Sequence, residues 1–97
     1  MTLDLATASV SEFEGRVSET FTIEFTDASV SLELIETRSL GSGERPVGAF
    51  SLLFSGPREP MLQQGTYRLE TGQDTLEVFL VPVNQTDDAA HYEAVFT

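Results

Sequence analysis

Ninety-seven residues without any shift of composition fit one β domain, assigned to residues 1–97, with room for one hydrophobic core. Sixteen acidic side chains face five basic ones, all Arg, for a formal charge of −11; no basic strip exists for phosphates, which disfavours nucleic acid and anionic membranes as partners. With no Cys, no Lys and His91 as the only His, disulfides, thiol catalysis, Schiff bases and multi-histidine zinc sites are excluded.

Forty per cent hydrophobic residues, including seven Phe, supply that core. The opening segment sets Leu5, Val10 and Phe13 among small and acidic residues, with Ser9 or Ser11 placed to cap a short helical segment that stops at Gly15. From Thr20 the period changes to two: Phe21, Ile23 and Phe25 alternate with Thr22, Glu24 and Thr26, as in a half-buried strand. Asp27-Ala28-Ser29 reads as a tight turn into a second strand with Val30, Leu32 and Leu34 on one face, so the two runs form a hairpin. Ile35 breaks the alternation and marks a bulge or a partly covered face. Ser39 to Pro46 concentrates Gly, Ser and Pro and reads as the longest loop.

Phe50 to Ser55 is the third strand, ended by Gly56-Pro57. Thr66 to Glu70 is the fourth, with Tyr67 and Leu69 inward, and Thr71-Gly72-Gln73-Asp74 turns the chain back. In the fifth, Leu76 to Val83, one face carries Leu76, Val78 and Leu80 and the other Phe79, Val81 and Val83, which implies a central strand or one covered on both faces. Pro82 cannot donate to a ladder and belongs at a strand end or beside a bulge. Asn84 to Ala90 reads as a polar loop, and His91 to Thr97 is the sixth strand, with Tyr92, Ala94 and Phe96 inward.

Six short strands joined by turns imply an all-β fold, a small antiparallel six-stranded barrel or sandwich, and closure into a barrel would hide strand edges. The expected core includes Phe21, Ile23, Phe25, Leu32, Phe54, Tyr67, Leu80 and Phe96.

Catalytic readings lack parts. His91 has serines and acids to pair with, yet no Gly-x-Ser-x-Gly elbow accompanies them. Paired carboxylates for glycoside cleavage carry little information among sixteen acids, and no Trp is present to line a sugar cleft. Asp87-Asp88 lacks the alternating ligands and closing Glu of an EF-hand, and Gly41-Ser42-Gly43 lacks the Lys and helix of a phosphate loop. No catalytic residue, metal or cofactor is therefore assigned, and the chain is expected not to be an enzyme.

The acids are spread evenly, nine against three Arg in residues 1–48 and seven against two in residues 49–97, which describes a solvated surface. Solubility explains it; a basic protein partner or a weak cation site is the alternative. Met1 to Leu5 lacks the basic residues and apolar run of a signal peptide, so a cytoplasmic location is expected.

Phe50 to Pro57, Gln64 to Glu70, Phe79 to Val83 and Tyr92 to Phe96, with Ser11-Glu12-Phe13 and Phe21 before them, together resemble a bacterial family catalogued only as a domain of unknown function. Its members are often encoded beside phage-tail-collar-like proteins, so the resemblance implies an accessory of a tail-like or fibre-forming assembly, exported with it or kept in the cytoplasm. The chain departs from the pattern at Thr71, often His in the family, and at Thr97, often Asn.

Two functions follow as expectations: a non-enzymatic protein-interaction module, structural, adaptor or chaperone-like, or a small-ligand or carbohydrate-binding domain with a pocket lined by Tyr67 and Tyr92. For the module, the candidate contacts are Phe79, Val81 and Val83 with the scarce cations Arg58 and Arg68, and the Gly56 to Pro60 and Gln63 to Gly65 stretches shape a rim. A single sheet layer would leave the Phe79 face against water unless Val10 and Phe13 lay over it, or a second copy or another protein covered it.

Overall fold

Strands follow one another along the chain as β1 (Thr20–Glu24), β2 (Ser29–Gly41), β3 (Ala49–Gly56), β4 (Gly65–Thr71), β5 (Asp74–Gln85) and β6 (Ala90–Phe96). The computed structural model describes residues 13–41, 49–59, 62–72 and 74–96. All strand pairs are antiparallel, and one sheet runs β1-β2-β3-β6-β5-β4 and closes into a barrel where Thr22 of β1 meets Glu70 of β4. Of the two all-β arrangements the sequence allowed, the closed ring is the one adopted. Among the described residues no helix is long and apolar enough to cross a membrane.

Alternation sets which side chains enter the ring. Phe21 and Ile23 pair with Leu32 and Val30 across the β1–β2 hairpin, and all four are buried. Phe25, expected inside, is 42% exposed. It lies beyond the last pair, Glu24↔Ser29, and its N–H donates to the Ala28 carbonyl at 2.8 Å, so the turn has begun and the period of two no longer applies.

The break at Ile35 is a bulge: the register with β3 shifts between Leu34 and Glu36. β2 then continues to Gly41, so Ser39, Leu40 and Gly41 belong to a strand where the sequence suggested a loop. Gly41 sits at φ 96, which glycine adopts without strain, and Ser39 is still paired with Phe50. The remaining part of that loop, residues 42–48, lies outside the described residues. The β2–β3 register shifts again between Ser39 and Gly41, and a third irregularity falls between Pro82 and Asn84 of β5, where the missing Pro N–H costs the ladder least; that strand runs on to Gln85. Thr71 pairs with Asp74 across a two-residue turn in which Gly72 adopts φ 54.

Core side chains converge from every strand. Phe54 meets Phe21 edge to face at 5.5 Å, and Phe50 stacks on Phe96 at 4.7 Å. Phe54, Leu32 and Leu80 are fully enclosed as expected, while Tyr67 and Phe96 are only partly buried and pack against the cluster from its margins. Gly56 is required by a close approach: a Cβ there would stand 2.4 Å from Leu32 Cδ2.

Phe13 overturns one expectation. It is 0% exposed and its ring lies 5.8 Å from that of Phe50, inside the barrel, so it does not cover the outer face of β5. A ring of strands has an open end, and an apolar plug removes that end from water at no cost in polar burial. The helical turn at Phe13–Glu14 leads into turns through Ser18, and the left-handed residue is Ser18 at φ 80, with Gly15 in an ordinary conformation. Ser9, Ser11 and Val10 lie outside the described residues.

Polar contacts latch this plug. Arg16 Nη1 donates to Glu19 Oε2 at 2.9 Å and Nη2 to Asp74 Oδ2 at 2.7 Å, while the Thr71 hydroxyl donates to the same Glu19 oxygen. The Asp74 hydrogen bond, with a further one from Glu19, raises the Arg16 pKa above its ordinary value. Ser18 N–H also donates to the Leu34 carbonyl at 2.7 Å, tying the turn to β2.

Candidate functional site

The sheet is a single closed layer, and among the described residues no second layer lies over the outward half of its strands. On most strands that half is polar. On β5 it turns apolar toward the strand's end, and β6 adds Val95 beside His91 and Glu93: Phe79, Val83 and Val95 are 51%, 49% and 51% exposed. Val81 is half-buried and pairs with Glu93, which in turn pairs with half-buried Leu53 of β3, so Val81, Glu93 and Leu53 form one row across three strands. Phe79 pairs with Thr66 of β4, and Val95 with buried Ser51 of β3. Of the two expectations for β5, the central strand is the one met, since β4 and β6 pair with it on either side; its inner face fills the core, and Phe79 and Val83 of β5 stay exposed.

Of the sequence-derived candidates, the ring brings Phe79 and Val81 onto one face, while Val83 occupies the bulge between Pro82 and Asn84. Arg68 is exposed on the outward side of β4, paired with Glu77, at the margin of that face. Arg58 stands apart, exposed in the bend after β3. Among the described residues neither arginine forms an ion pair. Val95 was not singled out as a contact, although its place on the outward half of the β6 alternation was the available signal.

The two tyrosines do not share a pocket. Tyr92 is 1% exposed and its hydroxyl accepts the Leu62 N–H at 2.8 Å, whereas the Tyr67 hydroxyl donates to the Gln63 carbonyl at 2.6 Å near the rim. A cleft of about 340 Å³ instead opens at the β1–β2 hairpin, lined by Phe25, Asp27, Ala28, Ser29, Val30 and Leu62. Tyr67 contacts the Phe25 ring edge to face, with centroids 6.5 Å apart.

Other motifs resolve into local structure. His91 is half-buried and lies 3.4 Å from Asn84 Nδ2 through its Nδ1. In the Asp87-Asp88 bend the Thr86 hydroxyl accepts the N–H groups of Asp88 and Ala89 at 3.3 and 3.0 Å. Among the described residues no three His, Asp or Glu side chains group closely enough to hold a metal ion.

A family model covers residues 8–96, which takes in Phe13 and all six strands. The chain belongs to the domain-of-unknown-function family DUF6916. No curated protein and no solved structure matches it. As a DUF6916 domain it carries the outer face, the cleft and the Arg16 latch within the matched span.

Proposed function

We propose that the chain is a non-enzymatic protein-interaction module, a structural, adaptor or chaperone-like accessory that docks a partner protein on the outer face of β5 and β6. The observation that carries this reading is the open apolar face of Phe79, Val81 and Val95 on a domain whose interior is already filled. Contiguous exposed apolar surface rimmed by polar groups marks interaction sites. Face-on docking suits this ring better than strand addition, because β1 and β4, the strands left for an edge, meet each other.

The occupant proposed is another protein with an apolar strip and a basic margin. A charge of −11, with Glu77 and Glu93 beside the apolar side chains, makes two copies of this chain repel and favours a cationic surround. The likeness to domains encoded beside tail-collar-like proteins supports a tail-like or fibre-forming assembly as its setting.

Co-expression with the products of its adjacent genes, followed by sedimentation of the purified proteins, tests the reading. The expected result is a monomer alone, a complex with one of those products, and loss of that complex in a folded Phe79→Asp variant. A complex that survives Phe79→Asp, unfolding of that variant, or concentration-dependent self-association abolished by it would each overturn the proposed face or its occupant.

A further inference from the structure

We propose that the cleft at the β1–β2 hairpin is a second recognition site, one that takes a basic side chain, arginine or lysine, of a partner polypeptide. This goes beyond the outer-face reading and stands independently of it. The chemistry of the lining selects the guest. Val30 and Leu62, both buried, give an apolar floor suited to the methylene stem of a long cationic side chain. Phe25 supplies an aromatic wall, 42% exposed and braced edge-on by Tyr67, against which a cation is attracted by the ring quadrupole. Asp27 is an exposed acid among the residues that line the cleft, and among the described residues no cation pairs with it.

Charge complementarity decides between this guest and a purely apolar one. An apolar group filling the cleft would gain nothing from exposed Asp27 at its lining or from the −11 field. A guanidinium or ammonium group satisfies both. One carboxylate is too few oxygen donors for a divalent ion. The site is also built in advance: the Phe25 N–H to Ala28 carbonyl bond and the Glu24↔Ser29 pair fix the hairpin, and the Tyr92 hydroxyl holds the Leu62 backbone. Little ordering remains to be done on binding.

Titrating the ¹⁵N-labelled full chain with the blocked tripeptides Gly-Arg-Gly, Gly-citrulline-Gly and Gly-norleucine-Gly tests it by amide chemical shifts. Citrulline keeps the shape of arginine without its charge, and norleucine keeps only an apolar stem. Saturable shifts at Phe25, Asp27, Ala28 and Val30 are expected with the arginine peptide, and binding about five- to tenfold weaker with the other two. Asp27→Asn should bring arginine down to the citrulline level, and Phe25→Leu should weaken it while leaving the spectrum of the fold intact. Equal binding of all three peptides, tightest binding of norleucine, shifts scattered over the acidic surface, or no shift at all would overturn the proposal. The outer-face reading is read by complex formation with a partner protein and this one by peptide shifts on the chain alone, so failure here and failure of that reading are separate results.

Discussion

Phe13 and Phe79 lie on opposite sides of the barrel wall, and a double-mutant cycle between them tests that placement. Phe13→Ala removes a fully enclosed ring that also contacts Phe50 at 5.8 Å, so it should cost about 3–5 kcal/mol in transfer and cavity terms. A domain of this length has a total stability of roughly 5–15 kcal/mol, so the loss is a large share of it. With a urea dependence of about 1–2 kcal/mol per molar, the unfolding midpoint falls by roughly 2–4 M. Phe79→Ala removes a half-exposed ring and should cost about 1 kcal/mol at most. Because the two rings share no contact, the double variant should show the sum to within about 0.5 kcal/mol. Phe13→Leu, costing about 1 kcal/mol, keeps the cycle measurable if the alanine variant is too unstable. A coupling above about 1 kcal/mol would mean that Phe13 leans on Phe79 from outside, and a Phe13→Ala loss below about 1 kcal/mol would mean that it plugs nothing.

Phe54→Ala should cost about 3–5 kcal/mol in the same urea assay, since Phe54 is fully enclosed and set edge to face against Phe21. A loss under about 1 kcal/mol would place Phe54 at the surface. Gly56→Ala should cost about 1–3 kcal/mol, because the new methyl meets Leu32 Cδ2 at 2.4 Å in a core with no slack to receive it. A neutral Gly56→Ala would show that β3 and β2 are looser at this point than the register implies.

Alternation made the strands legible, and its breaks were as informative as its runs. Ile35 interrupts the period because a bulge swaps the faces of β2, and Pro82 stands beside the β5–β6 bulge for want of an N–H. What alternation cannot report is where pairing stops. Phe25 continues the β1 pattern in sequence while the hairpin has already turned, and Ser39 to Gly41 carry turn-forming residues while β3 still pairs with them. Phe13 was hidden for a different reason: a lone aromatic in a short turn has no period, and only the open end of a ring gives it a place. The outer face was half legible, because Phe79 and Val81 stand on one strand while Val95 joins them only once β6 is known to lie beside β5.

A ring of six strands is narrower than the eight-stranded barrels whose interiors side chains just fill, and here five large groups, Phe13, Phe21, Phe50, Phe54 and Tyr92, take that space. The interior is therefore taken up by the core, and on the proposed reading recognition falls to the outside. Among the described residues, two of the outer features carry the proposals: the apolar side chains on β5 and β6, and an aromatic cleft beside Asp27 at the β1–β2 hairpin. They ask for different forces. Burial of Phe79 and Val95 is a hydrophobic contact that salt does not weaken, whereas a cation held by Asp27 is screened as ionic strength rises. A partner that uses both would be drawn in by the cleft and the acidic field and held by the face. On the proposed reading, charge would govern encounter with such a partner, and apolar burial would govern how long the complex lasts.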